Sequence, residues 1–424
     1  MGKLAKLKTL FKDEVVTHTT IVFIGTALIG VFDLAYRLIS VRLLSPQDYG
    51  AFNALISFVA FSSTAISPLG ATLTRFFTEY ITKKDFSALI VTFGKLIKIL
   101  LILSFFIFVG FMFSAYPLAR FLKTQSVHIV ICGGIMALSL FPPLFTSLFQ
   151  SFQKFKLYSF VCIVSSFGKL VIGVSFMFIG LKVIGALMGF FVAPIFIILS
   201  AFLFIPALVE KYEKHMDVKK NVTVTLVPIY KYFLPASLVM LSFTILTNID
   251  VVLVKHFFSP LEAGYYSIAQ TIGKIALFLP SALAIVIFPK STKAHVSNSS
   301  SLKFLYKSLF LAAVCSLIFT AIAFLFPEFV LNIFTGNVNP ISISIVGLFA
   351  LAMSFHALNW ITIHFLLATH KLKVAIPLLL IAALEIAAIW AWHSTLKVVL
   401  YIFFIFSVAS FAISFFSAKF NKKA

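Results

Sequence analysis

The chain alternates long apolar runs with short polar connections, and the runs have the length of membrane helices. A window of about 19 residues finds twelve runs, each long enough to cross a hydrocarbon layer about 30 Å thick. Because backbone in lipid must satisfy its own hydrogen bonds, runs of this length are predicted to be helices. The twelve predicted spans cover residues 16–40, 50–74, 92–114, 128–149, 158–180, 183–206, 232–256, 263–288, 304–326, 341–367, 374–393 and 397–417.

Composition supports lipid as the solvent of this chain. Apolar residues make up 61% of the sequence and charged residues 11%, whereas soluble domains hold about 45–50% apolar and about 25% charged residues. A water-soluble fold could not cover this much apolar surface. The three cysteines (Cys132, Cys162 and Cys315) lie within apolar runs without the spacing of metal ligands, so no metal or other cofactor is expected.

The positive charge of the chain is concentrated in its polar connections. The formal net charge is +21, but the lysines lie in short clusters between spans, which argues against a nucleic-acid partner. With the N-terminus in the cytosol, 25 of the 34 Lys and Arg residues fall on inner connections and helix ends, and six fall on outer ones. This positive-inside bias predicts a multi-pass protein of the cytoplasmic (inner) membrane with both termini in the cytosol.

Two short phrases repeat in the two halves of the chain. "LLSPQDYGAF" (Leu43–Phe52) and "FFSPLEAGYY" (Phe257–Tyr266) each follow the first span of a half, and "QKFK" (Gln153–Lys156) and "HKLK" (His370–Lys373) each follow the fourth. Six spans per half is an even number, so the halves enter the membrane from the same side. The prediction is an all-α integral membrane fold with two six-helix bundles related by a parallel pseudo-two-fold repeat. The bundles comprise residues 1–206 and 232–424, joined by a cytosolic linker at 207–231.

Charged side chains occur within several predicted spans, where each costs at least a few kcal/mol at the bilayer centre. They predict a polar cavity between the bundles, and its net positive sign suits an anionic passenger such as a phosphate or pyrophosphate group. Two purely structural alternatives stay open: Asp33 neutralises Arg37, or Lys169 pairs with Glu385. The charged residues within spans, or closing one on the inner side, are Asp33, Arg37, Arg75, Lys169, Asp250, Lys274 and Glu385.

Helix-breaking residues lie in three of the predicted spans. Pro68-Leu69-Gly70 is expected to bend helix 2, Pro142-Pro143 to interrupt helix 4, and Pro280 to bend helix 8. Interrupted helices in matching positions of two halves are typical of the substrate-facing parts of transporters.

The stretches around the repeated phrase resemble a known family. "LLSPQDYGAFNALISFVAFSSTAISPLGATLTRFFTEY" (Leu43–Tyr80) resembles the opening signature of Wzx-type polysaccharide flippases, within the multidrug/oligosaccharidyl-lipid/polysaccharide (MOP) exporter superfamily. "NIDVVLVKHFFSPLEAGYYSIAQ" (Asn248–Gln270) and "IFPKSTK" (Ile287–Lys293) resemble the matching part of the second half. The likeness covers roughly residues 30–95 and 245–295.

This resemblance implies a V-shaped, alternating-access transporter, like the multidrug and toxin extrusion (MATE) proteins. Its implied passenger is a polyprenyl-diphosphate-linked oligosaccharide, the precursor of O-antigen, capsule or exopolysaccharide. The implied partners are that substrate, the bilayer and polysaccharide polymerase machinery. The residues implied to bind the pyrophosphate are Arg37, Arg75, Lys169 and Lys274, and those implied as charge partners or coupling-ion sites are Asp33, Asp250 and Glu385.

Three other functions are weighed against this one. A proton- or sodium-coupled multidrug exporter of the same superfamily would use an acid such as Asp33, but a cation-rich cavity suits cationic drugs poorly. A lipid II flippase shares the positive cavity but commonly has two further C-terminal helices. A membrane O-antigen polymerase or ligase needs a sizeable external loop, and here no external segment pairs carboxylates with a histidine. The chain also has no ATP-binding P-loop, so it is not expected to be an enzyme.

Overall fold

The computed structural model describes residues 14–213, 224–280, 301–336 and 338–420, and it contains helices and no strand within those ranges. Part of the predicted linker (214–223), the "IFPKSTK" stretch and the end of predicted helix 8 lie outside the described residues. In chain order the α-helices are α1 Glu14–Leu43, α2 Pro46–Thr82, α3 Phe86–Phe113, α4 Ala115–Phe121, α5 Ser126–Leu138, α6 Pro142–Ser151, α7 Phe155–Phe176, α8 Lys182–Glu213, α9 Val227–Leu246, α10 Ile249–Phe257, α11 Pro260–Gly273, α12 Ser301–Leu325, α13 Pro327–Thr335, α14 Pro340–Ala368, α15 Ala375–Ala391 and α16 Leu396–Phe420.

Ten helical segments of the described chain are long and apolar enough to cross a membrane. One of them, Phe155–Pro206, has 52 residues, which at 1.5 Å per residue is far longer than one crossing requires. It contains two passes, because a short π-helix (Met177–Leu181) joins α7 to α8 and Gly180 there has a φ of 91°, outside the helical region. The predicted eighth span, 263–288, is described only as far as Pro280. The chain is therefore an all-α, multi-pass membrane protein.

Each copy of the repeated phrase begins a helix. Ser259 and Glu262 form a capping box at the start of α11, with Pro260 at the first helical position, a favoured arrangement for a helix N-terminus. At the start of α2 the Ser45 hydroxyl oxygen likewise accepts a hydrogen bond from the Asp48 backbone N–H at 3.2 Å. The phrase is therefore a helix cap in both halves.

The glycines that close the two phrases contact each other. A Cβ atom added to Gly50 would lie 2.8 Å from the backbone nitrogen of Gly264, and one added to Gly264 would overlap the carbonyl oxygen of Pro46. Neither position has room for a side chain, so glycine here lets the two backbones approach closely. The repeat thus brings the first turns of α2 and α11 together.

Helix interruptions fall only partly where prolines predict them. Pro142 begins α6 after a break from α5, as predicted. However, α2 continues through Pro68. The predicted span 232–256 is wrong as a single helix, because the chain breaks at Thr247–Asn248 between α9 and α10. α11 ends in a turn at Lys274, before Pro280, and residues 275–280 are helical again.

The described chain contains two compact units. The first comprises the described residues among 1–39, 66–114 and 130–233, and the second comprises those among 40–65, 115–129 and 234–424. In the first, α2, α3 and α6 enclose a core that includes Leu73, Phe77, Leu144 and Leu148. In the second, α14 is central and packs against α11, α12 and α16. The two-bundle division at 206 and 232 remains a prediction.

Candidate functional site

The second unit contains a buried polar cluster at the break between α9 and α10. Asn248, between the two helices, donates from its side-chain nitrogen to the carbonyl oxygen of Thr244 at 2.9 Å. That carbonyl belongs to the last turn of α9, where backbone acceptors lack helical partners. The side-chain oxygen of Asn248 accepts a hydrogen bond from the ammonium of Lys274 at 2.8 Å. One amide therefore joins the end of α9 to the interruption after α11.

Asp250, in the first turn of α10, is fully buried within the same cluster. Its carboxylate accepts hydrogen bonds from the Gln270 amide at 2.9 and 3.1 Å and from the Tyr266 hydroxyl at 3.1 Å. Tyr266, Gln270 and Lys274 are spaced four residues apart, so they share one face of the α11 segment. A carboxylate at a helix N-terminus is also favoured by the helix dipole. The ammonium of Lys274 is close enough to add its charge to this stabilisation.

The first half of α2 supplies further partners of this cluster. The Asn53 amide donates to the side-chain oxygen of Gln270 at 3.2 Å, and the Ser57 hydroxyl donates to Asn248 at 3.4 Å. One turn earlier, Tyr49 and Thr271 share a hydrogen bond of 2.7 Å between their hydroxyl groups. The repeat-related helices α2 and α11 are thus joined by polar contacts as well as by the glycine contact.

The first unit contains a separate charged cluster. The carboxylate of Asp33 on α1 accepts a short hydrogen bond from the ammonium of Lys169 on α7, and a second from the Ser166 hydroxyl at 2.9 Å. The Lys169 ammonium also lies 4.8 Å from the ring centroid of Phe190 and 5.8 Å from that of Tyr36, within the range of a cation–π interaction. The Lys169 side chain is 9% exposed and that of Asp33 is 46% exposed. Because an exposed carboxylate facing hydrocarbon would be very costly, we infer that water reaches the Asp33 side of this ion pair.

The remaining predicted site residues occupy three different environments. Arg37 is half-buried one turn after Asp33, near enough to Lys169 for the two positive charges to repel. Arg75, in the C-terminal part of α2, is exposed. Glu385 on α15 is fully buried, and neither of its carboxylate oxygens has a hydrogen-bond partner among the described residues. Within the second unit, the negative charges of Glu385 and Asp250 are close enough to repel each other.

The ion pair of the first unit bears on the two structural alternatives. Lys169 pairs with Asp33 rather than Asp33 with Arg37, and both partners of the pair lie in the first unit. The structure brings Asp33, Arg37 and Lys169 together there, and Asp250, Lys274 and Glu385 together in the second unit.

Sequence reasoning missed the neutral members of both clusters. Polar residues at every fourth position would have found most of them, because such residues lie on one face of a helix. In an apolar span, a polar stripe of this kind marks the face that meets other helices. The missed residues are Ser166 in the first unit and Tyr49, Asn53, Ser57, Tyr266, Gln270 and Thr271 in the second.

Comparison with known proteins places the chain in a family. A family profile described as "Polysaccharide biosynthesis protein" matches residues 15–295, about two thirds of the sequence. The chain belongs to the polysaccharide biosynthesis protein family. The resemblance read from the sequence is confirmed at this level, and the match spans both clusters except Glu385. Comparison with curated protein sequences gives no significant match.

Solved structures similar to this family member are transport proteins of the MOP superfamily. An inward-facing multidrug resistance MATE transporter is 15% identical, with a TM-score of 0.69 over 92% of this chain and 94% of that one. The lipid II flippase MurJ in an inward closed conformation is 17% identical, with a TM-score of 0.67 over 94% and 87%. A eukaryotic MATE transporter is 13% identical, with a TM-score of 0.66 over 97% of each chain. At these identities the likeness establishes the fold, which is the MATE-like fold predicted.

Proposed function

We propose that this protein is a flippase that moves a polyprenyl-diphosphate-linked oligosaccharide across the cytoplasmic membrane by alternating access. Membership of a polysaccharide biosynthesis family and a fold shared with membrane transporters support this function. The oligosaccharide is the repeat unit of O-antigen, capsule or exopolysaccharide. The positive-inside bias supports cytosolic termini, and the polysaccharide polymerase that uses the flipped unit is the expected partner. No chemical reaction is assigned to the chain.

The observation that carries the proposal is the hydrogen bond between Lys274 and Asn248. It joins a cation that is 5% exposed to an interrupted helix within the membrane-spanning part of the chain. Interrupted membrane helices with polar side chains at the break are where transporters bind their substrates and coupling ions. Ionisable groups at this depth are costly, and they are retained for function.

The diphosphate is the negatively charged part of the proposed substrate, and cationic side chains would bind it. Its oxygens suit charge-assisted hydrogen bonds from guanidinium and ammonium groups, for which Arg37, Arg75, Lys169 and Lys274 are the proposed donors. Asp33 and Asp250 then act as counter-charges that hold Lys169 and Lys274 when no diphosphate is bound. Glu385 is the proposed site for the coupling ion, since it is buried without a hydrogen-bond donor among the described residues.

A flipping assay in proteoliposomes tests the proposal. A fluorescent polyprenyl-diphosphate oligosaccharide is incorporated, and the labelled sugar that becomes accessible on the outer face is measured over time. Lys274→Gln removes the positive charge but keeps a side-chain N–H that can donate to Asn248. Arg37→Gln likewise removes the charge of the half-buried guanidinium but keeps a side-chain donor. Loss of one charge-assisted hydrogen bond predicts transport slowed about tenfold or more. The matched control is Lys98→Gln, which neutralises an exposed lysine and should leave the rate unchanged.

Three results would reject the proposal. Undiminished flipping in both Lys274→Gln and Arg37→Gln would show that these cations do not hold the diphosphate. Export of a cationic dye by the wild type, without flipping of the labelled lipid, would instead identify a multidrug exporter. Flipping of lipid II in preference to the oligosaccharide lipid would identify the remaining rival function.

A further inference from the structure

A cavity of about 210 Å³ lies at one edge of the second unit, apart from both charged clusters. It is enclosed by the end of α12, the start of α13 and the first turns of α14 and α16. None of the residues assigned to transport above lines this cavity. The lining residues that matter here are Phe324, Pro327, Ser344, Gly347, Lys397 and Tyr401.

The polar groups of this cavity suit an anion that accepts several hydrogen bonds. Lys397 and Tyr401 are four residues apart on α16, so the ammonium and the phenol hydroxyl share one helix face. Ser344 also lines the cavity from α14, although its hydroxyl already donates to the Ile341 carbonyl oxygen at 2.9 Å, and no acidic side chain is among the lining residues. Glu328 follows Pro327 in sequence but does not line the cavity. The net charge of the lining is therefore positive.

The position of the cavity corresponds to the head-group level of a bilayer. The membrane-spanning parts of α12, α14 and α16 end or begin beside it, at Leu325, Pro340 and Leu396. Next to it the apolar side chains of Phe324, Leu325 and Phe329 are exposed, as expected for a surface that meets lipid tails rather than water. Long cationic side chains such as Lys397 reach toward the head-group region from a helix end.

The volume of the cavity limits what can enter it. Pockets for whole small-molecule ligands measure about 300–1,000 Å³, so 210 Å³ admits only part of a larger molecule. A phosphate and glycerol backbone is of the right size, and its acyl chains would stay outside. Basic pockets between membrane helices are known to bind lipid head groups.

We propose that this cavity binds the head group of an anionic phospholipid, with its phosphate on Lys397 and its acyl chains along the apolar surface at Phe324, Leu325 and Phe329. The predicted orientation of the chain assigns the lipid to the outer leaflet. The site is independent of the transport function, and it would anchor α12, α14 and α16 to the surrounding bilayer.

Native mass spectrometry tests this assignment on the full-length protein. The protein is reconstituted with equal amounts of phosphatidylglycerol and phosphatidylcholine, extracted in mild detergent, and the lipids that remain bound are counted. Both lipids carry a phosphate, but the choline cation of phosphatidylcholine is repelled by the positively charged lining, so the wild type should retain one phosphatidylglycerol in preference to phosphatidylcholine by about tenfold. Lys397→Gln should abolish the preference, and Ser344→Leu, which fills the cavity without changing charge, should reduce retention of both lipids.

The control is Lys182→Gln, which neutralises another exposed lysine on the same predicted face of the membrane. It should leave lipid retention at the wild-type level. Equal retention of the two lipids by the wild type would overturn the proposal, as would unchanged phosphatidylglycerol binding in Lys397→Gln. An equal loss in Lys182→Gln would also overturn it, because net charge rather than the cavity would then attract the lipid.

Discussion

Removing Asp33 and removing Lys169 from their ion pair should destabilise the protein to different extents. The Lys169 side chain is 9% exposed, whereas that of Asp33 is 46% exposed. Asp33→Asn therefore leaves an ammonium buried among aromatic rings without its counter-charge. Lys169→Met removes the buried charge, keeps a long apolar side chain, and leaves a carboxylate that water can solvate.

The magnitudes follow from these exposures. Removing one partner of a fully buried pair costs about 3–5 kcal/mol, and exposed pairs contribute at most about 1 kcal/mol. With one side of the pair reached by water, we expect Asp33→Asn to cost about 1–3 kcal/mol. Lys169→Met should cost less than about 1 kcal/mol, because replacing a buried charge by an apolar side chain is often neutral. The double variant should resemble Lys169→Met.

The measurement is the midpoint of thermal unfolding in detergent for the wild type, both single variants and the double variant. The order from most to least stable should be wild type, Lys169→Met with the double variant, and Asp33→Asn. If Lys169→Met is as destabilising as Asp33→Asn, then the difference in burial between the two side chains does not determine the free-energy cost of breaking the pair. Ser166→Ala serves as a control for the other donor, since it removes one neutral hydroxyl from Asp33 and should lower stability by only about 1 kcal/mol.

Three further predictions concern the second unit. Gly264→Ala forces a methyl group against the carbonyl oxygen of Pro46, so it should cost about 1–3 kcal/mol of unfolding free energy, and unchanged thermal stability would contradict the close contact. Gln270→Leu removes two hydrogen bonds from buried Asp250 and should cost about 2–3 kcal/mol, with Gln270→Asn as a milder comparison in the same unfolding assay. Glu385→Leu removes a buried carboxylate that lacks a donor among the described residues. It should raise the unfolding midpoint while lowering ion-driven flipping, a loss of function that Glu385→Asp should partly spare.

The apolar pattern was sufficient to predict the helices because lipid allows few alternatives. Hydrocarbon excludes irregular exposed backbone, so run length and turn residues are strong signals in this chain. The repeated phrase was also informative, since serine, proline and an acid at those positions cap a helix in any solvent. What it did not reveal is that Gly50 and Gly264 meet each other. That contact depends on how the two helices pack, which no local pattern encodes.

The contacts of the charged residues also depend on helix packing and could not be read from a local sequence pattern. Their positions within spans predicted a polar interior, because burial of a charge in lipid requires a reason, but they did not predict two clusters in separate units. Their partners were not predictable: Asp33 meets Lys169 from α7 rather than Arg37 on its own helix. Arg75 lies on the exposed side of α2. The position of a charge at the end of a span does not reveal in sequence whether its side chain is buried or exposed.

A proline marks the helix interruption before α6, as predicted, but no proline marks the one after α9. A proline within a membrane helix is tolerated when the carbonyl it frees finds another donor. α2 continues through Pro68 and α9 through Pro235, so the carbonyls that these prolines leave without a backbone donor, four residues earlier, do not end either helix. The break after α9 instead has no proline, and it lies next to an asparagine that can supply the missing donor.

Asn248 therefore couples the shape of the backbone to the charge of the cluster. Its side-chain nitrogen satisfies the Thr244 carbonyl left open by the break, and its oxygen holds the Lys274 ammonium. An anion that draws Lys274 away would leave the side-chain oxygen of Asn248 with only the long hydrogen bond from the Ser57 hydroxyl at 3.4 Å, which costs free energy comparable to a lost hydrogen bond. Under the proposed function, a diphosphate at Lys274 would therefore act on the junction of α9 and α10, and through the first turn of α10 on Asp250. A charged passenger could in this way change the helix geometry of the unit that binds it.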